Sequence, residues 1–289
     1  MLPSTLLHIL FCAAFDIDPS IFSELVLMEQ YSAAAYCKTN HNSPGTNLSC
    51  DTGNCPLVDA ANTATVSEFE NLGLVADTTG YVAVDYTNHL IIIAFRGSNS
   101  IINGISDIQF FFTATGICNG CDAHQGFWAG WQAARDIVFA AVGDAVTANP
   151  GFRVVCTGHS LGGAVASLAT AELRNAGHSV SLYTFGAPRF GNAALSSYIT
   201  NQAGGNYRVT HTNDPVPQLL PDWLGYDHIT PEYYISEWNF SPVTPAGIRV
   251  CNGALDISCN AGWVFRDLIS HVWYFDHILL CMSPDVSPF

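Results

Sequence analysis

The stretch VVCTGHSLGGAVASLA, residues 154–169, decides the expected fold. A short apolar strand runs into the turn GHSLG, residues 158–162, and a helical pattern follows at once. In a G-x-S-x-G turn between a strand and a helix, only glycine fits at the crowded flanking positions, and the serine is strained with its hydroxyl exposed. We therefore predict that Ser160 is a nucleophile. The alternative is an incidental serine in a glycine-rich turn.

Strands and helices alternate around this turn. Residues 79–97 form two β-rich runs around a Thr-Asn pair, which predicts a hairpin, and residues 124–148 place apolar side chains at helical spacing before an Asn-Pro-Gly stop. Beyond the turn, a helix, a strand, a helix and a strand follow up to residue 212. Such alternation is typical of parallel strands joined by crossover helices. The sequence thus predicts an α/β class protein in which helices flank a mostly parallel central sheet.

Composition limits the possible partners. The chain has 289 residues, of which 49% are hydrophobic, and its formal charge is −15 because 9 Lys and Arg face 24 Asp and Glu. A field of this sign repels the phosphates of nucleic acids, so no nucleic-acid partner is expected. The negative charge does not exclude a neutral lipid surface as a partner. Nothing in the sequence implies a stable protein partner.

The N-terminus and the cysteines indicate export. Residues 1–15, MLPSTLLHILFCAAF, resemble a secretory signal peptide without the usual basic start, and we expect residues 16–289 to form one domain. Ten cysteines fit a secreted, extracellular protein. Zinc binding is the rival interpretation, disfavoured because C-x-x-C occurs only once. Spacing alone suggests three local disulfides, which are Cys50–Cys55, Cys118–Cys121 and Cys251–Cys259. Two sequons, at Asn47 and Asn239, are candidate glycosylation sites.

A nucleophilic serine needs a base and an orienting carboxylate, in the chain order Ser, acid, His for this architecture. Asp214 is the first carboxylate beyond the strand at 206–212, in a loop that prolines stiffen. Asp222 and Asp227 are the alternatives. The later histidines are His228, His271 and His277, and these residues alone leave the choice of base open.

Seven motifs occur along the chain in this order: QYSAAAYC (30–37), AFRGS (94–98), HQGF (124–127), TGHSLGGAVASLA (157–169), TFGAPRFGN (184–192), THTNDPVPQLLP (210–221) and HVWYF (271–275). With these motifs the chain resembles the secreted fungal lipases, or class 3 lipases, a family that also contains feruloyl esterases and mono- and diacylglycerol lipases. The resemblance implies the α/β-hydrolase fold, with Ser160 as the nucleophile and Asp214 as the acid. It implies that His271, which begins the pattern His-x-x-Tyr-Phe, is the base and that His277 is not.

The resemblance also implies roles outside the triad. The backbone amides of Ser98 and Leu161 are expected to form the oxyanion hole. A disulfide between Cys37 and Cys281 is expected to join the first helix to the end of the chain. Cys156 is predicted to be a buried free thiol.

A lid is implied for the segment SIINGISDIQFFF, residues 100–112. Four isoleucines at i, i+1, i+4 and i+7 are typical of a short amphipathic helix, and they are Ile101, Ile102, Ile105 and Ile108. Gly104 stands where the family often has tryptophan. The alternative is a helix buried in the core.

The expected function is that of a secreted serine hydrolase, an acylglycerol lipase without metal or organic cofactor. It would cleave carboxylic esters of tri-, di- or monoacylglycerols at a lipid–water interface through an acyl-enzyme intermediate. One alternative is a soluble-ester hydrolase of the feruloyl esterase type, which an apolar lid disfavours. Another is an inactive hydrolase-fold binding protein, disfavoured because every triad position holds the right residue type.

Overall fold

The structure is a computed structural model that describes residues 17–73, 77–98 and 108–282. The proposed signal peptide, residues 1–15, lies outside these ranges. The strands are β1 Thr63–Leu72, β2 Thr78–Asp85, β3 Leu90–Phe95, β4 Phe112–Ala114, β5 Asp122–His124, β6 Arg153–His159, β7 Val180–Phe185, β8 Gly191–Asn192, β9 Asn206–His211, β10 Tyr226–Asp227, β11 Glu232–Ile235 and β12 Ile248–Cys251. The α-helices are α1 Pro19–Ala34, α2 Pro56–Ala60, α3 Gln125–Ala148, α4 Leu161–Asn175, α5 Ala193–Asn201 and α6 Ile269–Val272.

Eight of these strands form one sheet, in the order β1-β2-β3-β6-β7-β9-β11-β12. The central strands β3, β6, β7, β9 and β11 are parallel, whereas β1, β2 and β12 pair antiparallel at the two edges. Four short strands form a second sheet, in the order β10-β8-β5-β4. The predicted mostly parallel central sheet is confirmed, and so is the hairpin, which is β2 with β3.

Both faces of the main sheet are covered by helices. On β3, Ile91 and Ile93 pack in the cluster that contains α3 and α4, while Leu90 and Ile92 pack in the cluster that contains α1. Successive side chains of a strand point to opposite faces. The unbroken apolar run LIIIAF therefore follows from burial on both sides.

The parallel strands bring the candidate triad to one edge of the sheet. Ser160 directly follows β6, and Asp214 lies three residues after the end of β9. Parallel neighbours end at the same edge, so residues far apart in the chain meet there. His271 reaches the same edge on the one-turn helix α6.

Four disulfides hold loops and termini. They are Cys37–Cys281, Cys50–Cys55, Cys118–Cys121 and Cys251–Cys259, the pairs expected from the sequence. The first spans 244 residues and ties the turn after α1 to the segment that follows α6. Cys156 is a buried free thiol, as predicted, and burial raises its pKa to about 12.

The described end of the expected lid helix is not helical. Residues 108–111 have no regular secondary structure, and Phe112 begins β4, which pairs with β5. The Phe112 ring stacks on Tyr226 with ring centroids 4.1 Å apart, which favours an extended backbone at this point over a further helical turn. The helix predicted over 100–112 is therefore wrong for Ile108 and the residues after it.

Candidate active site

Ser160 sits in a strained turn between β6 and α4. Its backbone has φ 57° and ψ −131°, a region that non-glycine residues rarely occupy. A Cβ at Gly158 would lie 2.5 Å from the backbone of Gly162, and one at Gly162 would lie 2.2 Å from the Phe95 carbonyl oxygen. Glycine at both flanking positions is thus a packing requirement, as the sequence motif predicts.

Three side chains form a continuous hydrogen-bonded chain at this turn. His271 Nε2 lies 2.9 Å from Ser160 Oγ, and His271 Nδ1 lies 2.9 Å from Asp214 Oδ2. Asp214 and His271 are fully buried, and Ser160 is 6% exposed. A carboxylate can only accept, so Nδ1–H of the neutral ring donates to Asp214 and leaves Nε2 to accept from the serine hydroxyl. The arrangement suits proton transfer from serine to histidine.

Further donors hold the Asp214 carboxylate. The Tyr274 hydroxyl donates to Oδ2 at 2.7 Å, and the Val216 backbone amide donates to Oδ1 at 2.8 Å. Asn260 Nδ2 donates to the backbone carbonyl of Asp214 at 2.9 Å, which fixes the loop itself. From the sequence, Tyr274 was only a marker in the His-x-x-Tyr-Phe pattern and Asn260 carried no signal. Their roles depend on contacts between segments 46 to 60 residues apart.

A second chain of hydrogen bonds links the turn to its neighbours through His159. The Gly97 amide donates to the Tyr36 hydroxyl at 3.0 Å, which lies 2.7 Å from His159 Nδ1, and His159 Nε2 donates to the His271 carbonyl at 2.8 Å. Burial and then the neighbouring His271 hold the pKa of His159 well below its ordinary value, so the ring is neutral. The role of Tyr36 is not predicted from the sequence. Its position at the end of QYSAAAYC was the available signal.

The two expected oxyanion donors lie beside Ser160. Leu161 is the first residue of α4, whose first amides have no acceptor inside the helix. Ser98 directly follows Gly97, where a Cβ would lie 3.0 Å from Ser160 Cβ. Both amides are thus in segments that contact the serine. Their role as an oxyanion hole stays a prediction.

Sequence comparison places this geometry among known proteins. The family model described as Lipase (class 3) matches residues 92–223. A secreted mono- and diacylglycerol lipase A of Penicillium cyclopium is 43% identical over 265 residues, covering 90% of this chain and 86% of that protein. The chain belongs to the class 3 lipase family. A secreted mono- and diacylglycerol lipase 1 of Fusarium solani is 39% identical over 253 residues, covering 87% of this chain and 75% of that protein.

A solved structure of a similar protein has the same fold. The crystal structure of a mono- and diacylglycerol lipase from Aspergillus oryzae matches with a TM-score of 0.85 at 41% identity, and the match covers 89% of this chain and 97% of that one. The family resemblance and the α/β-hydrolase fold predicted from the sequence are both confirmed.

The expected lid of this class 3 lipase falls largely outside the described residues. Ile101, Ile102, Gly104 and Ile105 belong to the range 99–107, which the structure does not describe. Ile108 is half-buried and packs against the main core. The next residues are apolar and exposed, with Phe110 at 51% and Phe111 at 64%.

The alternative acid and base candidates from the sequence lie outside this hydrogen-bonded chain. His228 is buried, and its Nε2 donates to the Pro217 carbonyl at 2.6 Å. Asp227 accepts from the His228 amide, and Asp222 is exposed on a 3-10 turn. His277 lies past His271, and its Nδ1 has no hydrogen-bond partner among the described residues. Neither of these histidines is hydrogen-bonded to Ser160.

Two further sets of residues complete the sequence predictions. Within the described ranges, the one group of three metal-ligating side chains is Cys37, Cys50 and Cys281, and all three sulfurs are in disulfides, so none is a thiolate ligand. The sequon residue Asn47 is exposed, while Asn239 is half-buried with its Oδ1 accepting from Ser270 Oγ at 3.1 Å. Glycosylation at either stays a prediction. In the part of the chain that is described, no helix has the length and apolarity to cross a bilayer.

Proposed function

We propose that this class 3 lipase is a secreted serine hydrolase that cleaves the carboxylic ester bonds of acylglycerols, with Ser160, His271 and Asp214 as its catalytic triad. The observation that carries the proposal is the hydrogen-bonded chain from Ser160 Oγ through the imidazole of His271 to Asp214. The names of the relatives support the substrate class, since they are secreted mono- and diacylglycerol lipases. In line with export, we infer that residues 1–15 are a signal peptide.

The first half of the reaction forms an acyl-enzyme. His271 Nε2 takes the proton from Ser160 Oγ, which attacks the ester carbonyl carbon. The negative charge that forms on the carbonyl oxygen is received by the amides of Ser98 and Leu161. When the intermediate collapses, the bond from the acyl carbon to the leaving oxygen breaks, and the protonated His271 gives its proton to the departing alcohol. The acyl group stays on Ser160.

The second half releases the fatty acid. Water attacks the acyl carbon while His271 Nε2 accepts its proton, and the same two amides receive the charge again. The bond from the acyl carbon to Ser160 Oγ then breaks, His271 returns the proton to Oγ, and the fatty acid leaves, which completes the cycle. Asp214 stays ionised throughout, keeps Nδ1 protonated and stabilises the imidazolium that forms in each half.

We further propose that the segment 100–112 contributes to contact with a lipid surface. Its isoleucines give it an apolar side in the sequence, and the exposed rings of Phe110 and Phe111 continue that character into the described residues. Each large aliphatic side chain that leaves water contributes about 1.5–3 kcal/mol. A lipid surface thus offers these side chains the same gain as the protein core.

The experiment is a substrate panel measured on the secreted protein and on Ser160→Ala. Hydrolysis of emulsified mono-, di- and triacylglycerol and of a dissolved aryl ester should fall by about 10⁶ in the variant. Activity confined to the dissolved aryl ester would favour an esterase of the feruloyl type. Retained activity in Ser160→Ala would reject the triad.

A test of the lid uses Ile102→Asp and a short-chain ester carried through its solubility limit. The variant should keep the wild-type rate on monomeric ester and lose most of the rise that follows droplet formation. Equal losses on both forms of substrate would place Ile102 in the core.

A further inference from the structure

A small cavity lies behind the loop that carries Asp214. Its lining includes the side chains of Arg189, Arg208, His228, Glu232 and Asn260. Its volume is about 10 Å³, measured as the space within which the centre of a water molecule can lie. A space of this size holds one water molecule or one monatomic ion.

Arg189 brings an unmatched positive charge to this cavity. The side chain is 5% exposed, and only Nη1 donates, to the carbonyls of Gln218 and Leu220 at 3.2 and 3.4 Å. Its Nε has no acceptor, and no carboxylate of the described residues lies within 4.0 Å of the guanidinium. A buried cation without a counter-ion is costly, because it has lost its hydration without a replacement.

The second guanidinium, that of Arg208, is only 2% exposed and is matched by Glu232. Nη2 donates to Glu232 Oε2 at 2.9 Å, and Nε donates to the Ile229 carbonyl at 2.9 Å. Its Nη1 makes no hydrogen bond to any described residue. Glu232 also accepts from the Thr210 hydroxyl and from the Asn260 amide, and its ion pair is with Arg208 and not with Arg189.

Burial lowers the pKa of Arg189, and more distant charges act on that pKa in both directions. Asp222 and Asp227 raise it, while Arg208 and Arg266 lower it. Burial, then Arg208 and Arg189, lower the pKa of His228 well below its ordinary value, so that ring is neutral. The groups that line the cavity therefore sum to two positive charges and one negative charge.

We propose that this cavity binds one monatomic anion of the halide class, chloride under ordinary conditions, between the guanidinium groups of Arg189 and Arg208. A halide supplies the missing negative charge and accepts from several N–H groups at once. Oxyanions such as sulfate and carboxylates are too large for the space. The site is separate from the triad.

The occupant would act on the acid loop through the cavity wall. Arg189 donates to the Gln218 carbonyl, Gln218 Nε2 donates to the Asn260 carbonyl at 2.7 Å, and Asn260 holds the carbonyl of Asp214. A bound ion that neutralises Arg189 therefore stabilises the folded loop. A ligand that binds only the folded state raises the melting temperature with concentration.

Thermal unfolding of the secreted protein tests this in sodium chloride, sodium bromide and sodium gluconate at equal ionic strength. Both halides should raise Tm along a one-site saturation curve, by about 2–4 °C near tenfold excess over Kd, and gluconate should not. Arg189→Gln should lose the halide response. Arg266→Gln should keep it, since Arg266 is exposed and donates to Gln218 Oε1 at 2.7 Å.

Crystals of the wild type soaked in sodium bromide give an independent readout if Arg189→Gln fails to fold. An anomalous peak in the cavity is expected. A cavity without a bromide peak would overturn the proposal. Equal Tm shifts in halide and gluconate, or a halide response that survives in Arg189→Gln, would overturn it as well.

Discussion

Two polar clusters each contain a fully buried carboxyl group, and the clusters differ in the hydrogen-bond donors around that group. The Asp214 cluster consists of Ser160, Asp214, His271 and Tyr274. The Glu29 cluster consists of the buried Glu29 on α1 and the half-buried Asp276, whose charge acts on it. The two clusters share the segment after α6, where Tyr274 is only two residues from Asp276.

Asp214 and Glu29 are both fully buried, yet their surroundings are opposite. The Asp214 carboxylate accepts from His271, Tyr274 and the Val216 amide. Neither oxygen of Glu29 has a hydrogen-bond partner among the described residues. Burial, with a smaller contribution from Asp276, raises the pKa of Glu29 well above its ordinary value.

The difference teaches that two equally buried carboxyl groups of this core have opposite surroundings, according to the donors that reach them. Three donors replace the water that Asp214 lost, and through one of them the carboxyl group orients His271. Glu29 has no such replacement and is held neutral. The same contrast separates the histidines, since His271 is bonded at both ring nitrogens while His277 Nδ1 is unpartnered.

The largest expected effect comes from the two histidines. His271→Ala removes the base, and hydrolysis should fall by about 10⁶, as in Ser160→Ala, because triad members act as a unit. His277→Ala should keep most of the activity, since His277 makes no bond to the triad. Steady-state rates on a soluble ester decide this. If the two variants traded places, the assignment of the base to His271 would be wrong.

Asp214→Asn tests whether catalysis depends on the charge of the Asp214 carboxyl group. The amide keeps the shape of the side chain, but it favours the wrong tautomer of His271. It also does not stabilise the imidazolium, so kcat should fall by a factor on the order of 10⁴. The matched control is Asp276→Asn in the Glu29 cluster, which should change kcat little. Comparable losses in both variants would show that the effect is structural.

Tyr274→Phe removes one of the three donors to Asp214. A hydrogen bond to a charged group contributes about 1.5–3 kcal/mol, so we expect kcat to fall by roughly 10- to 150-fold with KM unchanged. Tyr226→Phe is the control, because Tyr226 is equally buried and its hydroxyl has no partner among the described residues. A rise in KM without a fall in kcat would argue against a positioning role for Tyr274.

The sequence predicted those parts of the fold that local pattern dictates. Strand and helix periods, the glycines around Ser160 and the proline-stiffened loop at Asp214 all depend on a few adjacent residues. Three of the four disulfides followed from spacing of three to eight residues. The pair Cys37–Cys281, 244 residues apart, came only from family resemblance.

The remaining features depend on tertiary contacts and could not be predicted from local sequence patterns. Asn260 and Tyr36 act on groups 46 and 61 residues away, and the motif QYSAAAYC, which contains Tyr36, does not reveal its hydrogen bonds. Phe112 is extended because its ring meets Tyr226, 114 positions later, which helical periodicity alone could not reveal. Glu29 lies in a helix whose sequence gives no sign that this position faces the core.

The smallest effect on activity, and a distinct one on stability, is expected from Glu29→Gln. The unfolded chain releases the Glu29 proton near its ordinary pKa of about 4.3, whereas the folded chain keeps it. The unfolded state then binds fewer protons, so the free energy of unfolding of the wild type falls as pH rises. Below that pKa, wild type and Glu29→Gln should be similar in stability. Above it, the variant should gain about 1.4 kcal/mol per pH unit until the folded Glu29 itself ionises. Glu24→Gln is the matched control on the same helix, because Glu24 is partly exposed and pairs with Arg153 at 2.6 Å, whereas Glu29 is buried without a donor. Denaturant unfolding at a series of pH values measures the difference, and parallel curves for wild type and Glu29→Gln would mean that Glu29 ionises in the folded protein as easily as in water.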